Sequence, residues 1–172
     1  MKLIPKIVVV LTLVSFFTDV SSAALYPVLP VYLKQIGFSV FLIGMLQGAS
    51  ELAAGLAKGY FGHWSDRTGR RLPFVRVGYL LSAVAKPMLA VSTAVGWVFF
   101  ARLLDRLGKS VRTSPRDALL AQASDAQNRH RVFNFHRAGD TLGTVVGATA
   151  ALAFLHFFPG RYAALFLWTF IP

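Results

Sequence analysis

The sequence predicts an all-α, polytopic transmembrane helix bundle with five complete spans and the start of a sixth. Three observations carry that expectation. The 172 residues are 55% apolar and only 15% charged, with a mean hydropathy of +0.57, too oily for an ordinary soluble domain. Apolar runs, each long enough to cross about 30 Å of hydrocarbon at about 1.5 Å per residue, follow one another along the chain. The cations gather in alternate breaks between those runs instead of lining the face of a soluble helix or sheet.

The first run follows Lys2 and Lys6 and reaches Lys34, broken by one charge, Asp19, with Pro27 and Pro30 able to bend or end it. Residues 1–6, 7–17 and the small Ser21, Ser22 and Ala23 also mimic the three regions of a cleaved signal peptide, but the four further hydrophobic runs favour a span. The second run covers residues 38–61, with Glu51 and Lys58 as its only charges. Its Gly44/Gly48 and Gly55/Gly59 pairs have the spacing that lets helix backbones approach closely. A charged stretch, Gly62-His63-Trp64-Ser65-Asp66-Arg67-Thr68-Gly69-Arg70-Arg71, reads as a compact turn.

The third run covers residues 73–95 and contains Lys86-Pro87, a cation in the membrane beside a kink-prone residue; residues 92–96 form an uncharged turn. Span four starts near Trp97, becomes densely charged in its second half, and meets a possible early end at Pro115. A polar linker, 124–131, has Ser124 and Gln127 three apart as a helix start. Span five covers 132–157, with Gly139, Gly143 and Gly147 on one packing edge. After the Phe158-Pro159-Gly160 turn and Arg161, 11 residues remain, about 16 Å of helix, so the sixth span begins without crossing. Residues 1–172 thus read as one bundle, truncated within span six.

Fifteen of the 18 cations fall at the amino terminus, around the second-to-third connection and in the fourth-to-fifth region, while the opposite connections hold only Lys34 and Arg161, and Lys86 stays within the membrane. The positive-inside rule then makes the amino terminus cytoplasmic in a multi-pass protein of the cell inner (plasma) membrane, with the lipid bilayer as its surroundings. The net charge of +11 is explained by these loops, so no nucleic-acid partner is expected. With no cysteine there is neither a disulfide framework nor a thiolate site.

On a helix, Arg102, Asp105, Arg106, Lys109, Arg112 and Arg116 project within roughly 120° of one another, one charged stripe on span four. Such a stripe cannot face lipid; it lines a watery cavity, pairs with other helices or emerges into the cytoplasm. Arg112 and Arg116 are expected to emerge, and Arg102, Asp105 and Arg106 to line a cavity or a buried pair. The excess of cations biases the cavity toward anionic or amphiphilic acidic solutes. The acids Asp19, Glu51 and Asp140 lie on different spans and are proton-carrier candidates or static partners of these cations and Lys86. His136, one turn before Asp140, is placed to tune a proton site. There is no Gly-x-Ser-x-Gly nucleophile, no His pair at metal-ligand spacing with a carboxylate and no phosphate-binding glycine loop, so neither enzyme, cofactor nor metal site is expected.

The charged stretch matches a loop signature: Gly, three residues, Asp, a cation, one residue, Gly and two cations, between the second and third hydrophobic runs. With Ser15-Phe16-Phe17-Thr18-Asp19, Tyr26-Pro27, Asp105-Arg106-Leu107-Gly108-Lys109, Arg112-Thr113-Ser114-Pro115-Arg116-Asp117 and His136-Arg137-Ala138-Gly139-Asp140, the chain resembles a bacterial branch of the major facilitator superfamily over nearly its whole length. The resemblance implies the amino-terminal half of a secondary transporter for a small solute, with or without proton coupling, completed by a missing carboxy-terminal half or a second copy around a midplane site. A non-transporting remnant or partner-dependent membrane protein is the alternative. It further implies a cytoplasmic charge relay of Gly62, Asp66, Arg67, Gly69, Arg70 and Arg71, in which Asp66 and Arg70 act and Gly62 and Gly69 shape the turn. Arg102 stands at the family's fourth-span Arg position, and the Gly139, Gly143, Gly147 series is similar to the fifth-span antiporter motif. Thr144 stands where that motif has Pro, and Ala23, Gln47 and Gln122 stand where acids are expected, leaving Asp117 or Asp125 as the relay's acidic partner.

Overall fold

A computed structural model describes residues 4–170; Lys2, counted above among the amino-terminal cations, lies outside them. The described residues form seven helices and no strand: α1 Lys6–Leu25, α2 Leu29–Gln35, α3 Val40–Thr68, α4 Arg71–Met88, α5 Val95–Gln122, α6 Arg129–Phe157 and α7 Tyr162–Trp168. The fold is all-α and polytopic, as composition and run lengths require.

Local chemistry sets the boundaries. Pro27 sits in the break between α1 and α2, and Gly37, at φ +96°, lets the chain leave α2 where a Cβ would be strained. Ser39 caps α3, its hydroxyl oxygen accepting from the Leu42 N–H at 3.2 Å. The charged stretch is not a turn over its whole length: α3 continues through Thr68, and only Gly69 and Arg70 are non-helical, with Gly69 at φ +65° closing the helix. α4 ends at Met88, right after Pro87, so the following turn covers residues 89–94, earlier than the sequence suggests. The Trp97 indole donates to the Met88 carbonyl at 2.7 Å and pins that turn. α5 passes through Pro115, which costs it a donor but does not end it. α6 begins beyond Asn128, whose side-chain oxygen accepts from the Asp125 N–H at 2.7 Å; Ser124 instead donates to the Ala121 carbonyl and finishes α5.

Two groups of helices make the bundle. α5 packs along α4 and α3, while α1 packs along α6. Glycines permit both tight contacts. A Cβ on Gly143 would stand 2.6 Å from the Phe16 carbonyl oxygen, and Cβ atoms on Gly139 and Gly147 would collide with Thr12 and Val20. At the α4–α5 crossing a Cβ on Gly78 would lie 2.6 Å from the Gly108 carbonyl and one on Gly108 2.7 Å from the Ser82 nitrogen. By contrast Gly44, Gly48, Gly55 and Gly59 have open space around them, so their spacing serves no packing among the described residues.

Two apolar clusters bracket the bundle. One joins Leu25, Leu29, Leu33, Phe38, Leu46, Leu89, Val98, Ala101, Ala151 and α7's Leu165 and Phe166. The other joins Val8, Leu11, Val75, Leu120 and Val132, that is, the start of α1, α4 and α6 with the end of α5. Between them lies a polar layer. On α5 it runs from Arg102 to Arg116, about 21 Å of helix; on α1 it holds Ser15, Asp19 and Ser22.

The outer surface is apolar. Phe41, Leu52, Leu56, Leu142, Val145 and Leu152 are exposed, an arrangement that needs lipid rather than water. By length and composition, Lys6–Gln35, Val40–Thr68 and Arg129–Phe157 qualify to cross a membrane. The described α4 and α5 do not meet those criteria, and the reason is visible in the sequence: Arg71, Arg76 and Lys86 load an 18-residue helix, and the charged stripe loads α5.

Candidate functional site

The polar layer lies between the two helix groups, α3 to α5 on one side and α1 with α6 on the other. α5's arginines span it. Arg102 turns back into its own group: it pairs with Asp105 at 3.5 Å and donates to the Gln47 amide oxygen at 3.3 Å. Ser82 of α4 donates to the other Asp105 oxygen at 2.6 Å. This buried knot locks α3, α4 and α5 together.

Arg106 reaches the other group. It donates to the Tyr26 hydroxyl at 2.9 Å, lies over the Tyr26 ring at 5.0 Å, and pairs through Nε with Glu51 at 3.2 Å without hydrogen-bond alignment. Arg112 and Arg116 do not emerge into the cytoplasm. Arg112 is 1% exposed, stacked over Tyr79 at 4.6 Å, with its nearest carboxylate oxygen, on Asp19, 4.0 Å from Nη2. Arg116 donates to Ser15 at 2.8 Å and pairs with Asp140 at 3.4 Å and Asp117 at 3.2 Å. Desolvating these cations is tolerable because each carboxylate or ring on the facing helix recovers part of the lost hydration. Among the described residues Lys86, 2% exposed, forms no ion pair, and neither does the exposed Lys109.

A second polar group lies where α6 meets α1. Thr12 donates its only hydroxyl proton to the Val8 carbonyl at 2.8 Å, so its oxygen accepts from His136 Nδ1 at 3.1 Å. The other ring nitrogen, Nε2, then faces Asp140 Oδ2 at 3.5 Å.

At the end of α3, Asp66 pairs with Arg71 at 3.2 Å, not with Arg70. Arg71 also donates to the Ala118 carbonyl at 3.0 Å, tying the Gly69 turn to α5 through a main-chain oxygen. Asp117 is committed to Arg116. Gly62 is helical, and its role is contact: a Cβ there would stand 3.1 Å from Ser114 Cβ on α5. His63 and Arg67 are exposed.

Two of the cavities beside the α5 stripe share part of their lining. One of about 280 Å³, between α3 and α5, is lined by Glu51, Lys58, Arg106, Lys109, Ser110 and Thr113. Another of about 300 Å³, between α1, α5 and α6, is lined by Asp19, Lys109, Arg112, Arg116, Arg137 and Asp140. Tyr79, Ser82 and Thr12, which complete these networks, give no sequence signal because a hydroxyl on a helix face has no characteristic spacing.

Residues 11–171 match the family model of the Major Facilitator Superfamily. An uncharacterized MFS-type transporter of Methanocaldococcus jannaschii is 35% identical over 151 residues, 87% of this chain and 37% of the relative. The multidrug resistance protein MdtH of Photorhabdus laumondii is 26% identical over 117 residues, 68% of this chain and 29% of the relative. The quinolone resistance protein NorA of Staphylococcus aureus is 26% identical over 121 residues, 70% of this chain and 31% of the relative. The chain thus spans well under half the length of the curated relatives it matches. A match over almost every described residue, on a bundle with a charged layer enclosed between apolar ends, leaves one conclusion: the chain belongs to the Major Facilitator Superfamily.

Proposed function

We propose that residues 1–172 are the amino-terminal bundle of a secondary active transporter for a small solute and that this protein is not an enzyme. In this reading α1 with α2, α3, α4, α5 and α6 make five spans, α7 starts the sixth, and the amino terminus is cytoplasmic in the plasma membrane. A second bundle, either a carboxy-terminal half or another copy, closes the polar layer into a central site. The observation that carries the reading is this layer of arginines and carboxylates, enclosed between two apolar clusters in a lipid-facing bundle. Charges are kept at that depth where a solute or ion must pass.

The Thr12–His136–Asp140 group favours proton coupling as the driving mechanism. Thr12 fixes the Nδ1 proton, so the neutral ring would present its Nε2 lone pair to a carboxylate, and one proton between Nε2 and Oδ2 relieves the repulsion. Arg116 pairs with the same carboxylate and would balance the charge left on it when that proton leaves. Asp66, Arg71 and the Ala118 carbonyl would act as the cytoplasmic latch between α3, α4 and α5.

The test is transport in proteoliposomes under an imposed pH gradient, using a panel of fluorescent solutes that includes a quinolone. Gradient-driven accumulation is expected in the parent protein and lost in Asp140→Asn, which retains solute exchange at equilibrium. No flux of any solute would favour the non-transporting alternative. Flux that is indifferent to the gradient and to Asp140→Asn would leave transport standing and remove the proton.

A further inference from the structure

From the two cavities we infer that the solute is an organic acid, and that Lys109 is the residue on which its oxyanion group is received. This deepens the transport reading and rests on it. The cavity between α3 and α5 sets Lys58, Arg106 and Lys109 against the single Glu51; the one between α1, α5 and α6 sets Lys109, Arg112, Arg116 and Arg137 against Asp19 and Asp140. Each side carries two positive charges in excess. Lys109 and Thr113 belong to both linings, so the two spaces meet at the Lys109 side chain.

The cations differ in how far they are already used. Arg106 is held by Glu51 and Tyr26, and Arg116 by Asp140, Asp117 and Ser15. Lys109 is exposed and has no ion pair among the described residues, leaving three ammonium donors directed at the shared space. Arg112 supplies the second, independent observation. Its guanidinium is buried and lines the cavity, yet its Nε and Nη1 have no hydrogen-bond partner in the protein. Buried donors without acceptors are costly, and a carboxylate or phosphate oxygen meets them with charge-assisted bonds roughly twice as strong as a neutral acceptor makes, while a cation makes none. A lysine point charge beside a planar guanidinium with two free donors suits an oxyanion of either kind. Spaces of about 280 and 300 Å³ fit an acid carrying one small ring or a short chain.

The test uses the purified protein, at the length the cell makes it, in detergent at constant ionic strength. Four probes share one ring: benzoate, phenyl phosphate, benzamide and benzylamine. Benzoate or phenyl phosphate should raise the unfolding midpoint by about 2–4 °C at saturating concentration, and the neutral and cationic probes should not. Benzoate alone would identify a carboxylate site, and phenyl phosphate alone a phosphate site. Lys109→Gln should weaken the apparent affinity for the effective anion about tenfold, Lys109→Arg should retain it, and Lys34→Gln should leave it unchanged. Equal stabilisation by benzamide, or an anion effect that survives intact in Lys109→Gln, would overturn the assignment. So would the absence of any anion effect, and if the proteoliposomes still moved a neutral or cationic solute the transport reading would survive that loss. Anion stabilisation in a protein that moves no solute would keep the anion site and remove transport.

Discussion

At the scale of single residues, exposure decides what each ion pair is worth. Asp66 is 64% exposed, so its pair with Arg71 contributes about 0–1 kcal/mol to stability. On the proposed transport reading, any large effect of that pair acts through the balance between conformations. Arg116 and Asp140 are 13% and 23% exposed, and removing one partner leaves the other charge in the bundle at a cost of about 3–5 kcal/mol. Arg116→Gln should therefore lower the unfolding midpoint in detergent far more than Asp66→Asn, while Asp66→Asn lowers transport. Equal drops in midpoint would show that the latch is structural. The sequence shows the charged residues themselves but not their partners: the helical Thr68 and the αL Gly69 point Arg71 back at Asp66.

At the scale of elements, glycine spacing separates into two cases that the sequence cannot tell apart. Gly143 has the Phe16 carbonyl 2.6 Å from where a Cβ would go, whereas Gly48 has nothing within 4 Å. Gly143→Ala should force α6 away from α1 and cost about 1–3 kcal/mol, read as a lower midpoint. Gly48→Ala should change stability by less than about 1 kcal/mol, in the favourable direction if helix propensity governs. A loss at Gly48 as large as at Gly143 would place another helix on the α3 face. Gly78 and Gly108 belong to the first case, although each is a lone glycine in its stretch of helix and carries no pattern.

For the whole molecule, the central question is which end faces the cytoplasm. The start of α1, the Gly69 turn and the 123–128 linker lie at the end of the bundle that holds the Val8, Val75, Leu120 and Val132 cluster, and Lys6, Arg67, Arg70, Arg71, Arg129 and Arg131 sit in or beside them. The chain has no cysteine, so single substitutions report cleanly. Thr68→Cys and Gln127→Cys should be protected in intact cells from an impermeant thiol reagent, and Thr93→Cys and Pro159→Cys should be labelled. Ser65 is unsuitable because it is buried. Labelling of the first pair from outside would invert the topology; protection of all four would break the five-span reading.

What the sequence determined by itself is the class of fold and the order of helices, because those follow from run length, composition and periodicity along one chain. It also placed the Gly139, Gly143 and Gly147 edge and the α5 stripe on single helix faces. Only the tertiary structure decided that Pro115 lies within a continuous helix, that Arg102 and Asp105 form a closed knot with Ser82 and Gln47, and that Arg112 and Arg116 are buried beside Asp19 and Asp140. It alone shows that Lys109 forms no ion pair among the described residues. The physical reason is that helix periodicity fixes the direction of a side chain about its own axis, whereas its partner depends on how neighbouring helices approach and rotate, and a glycine or hydroxyl far away in the chain sets that approach.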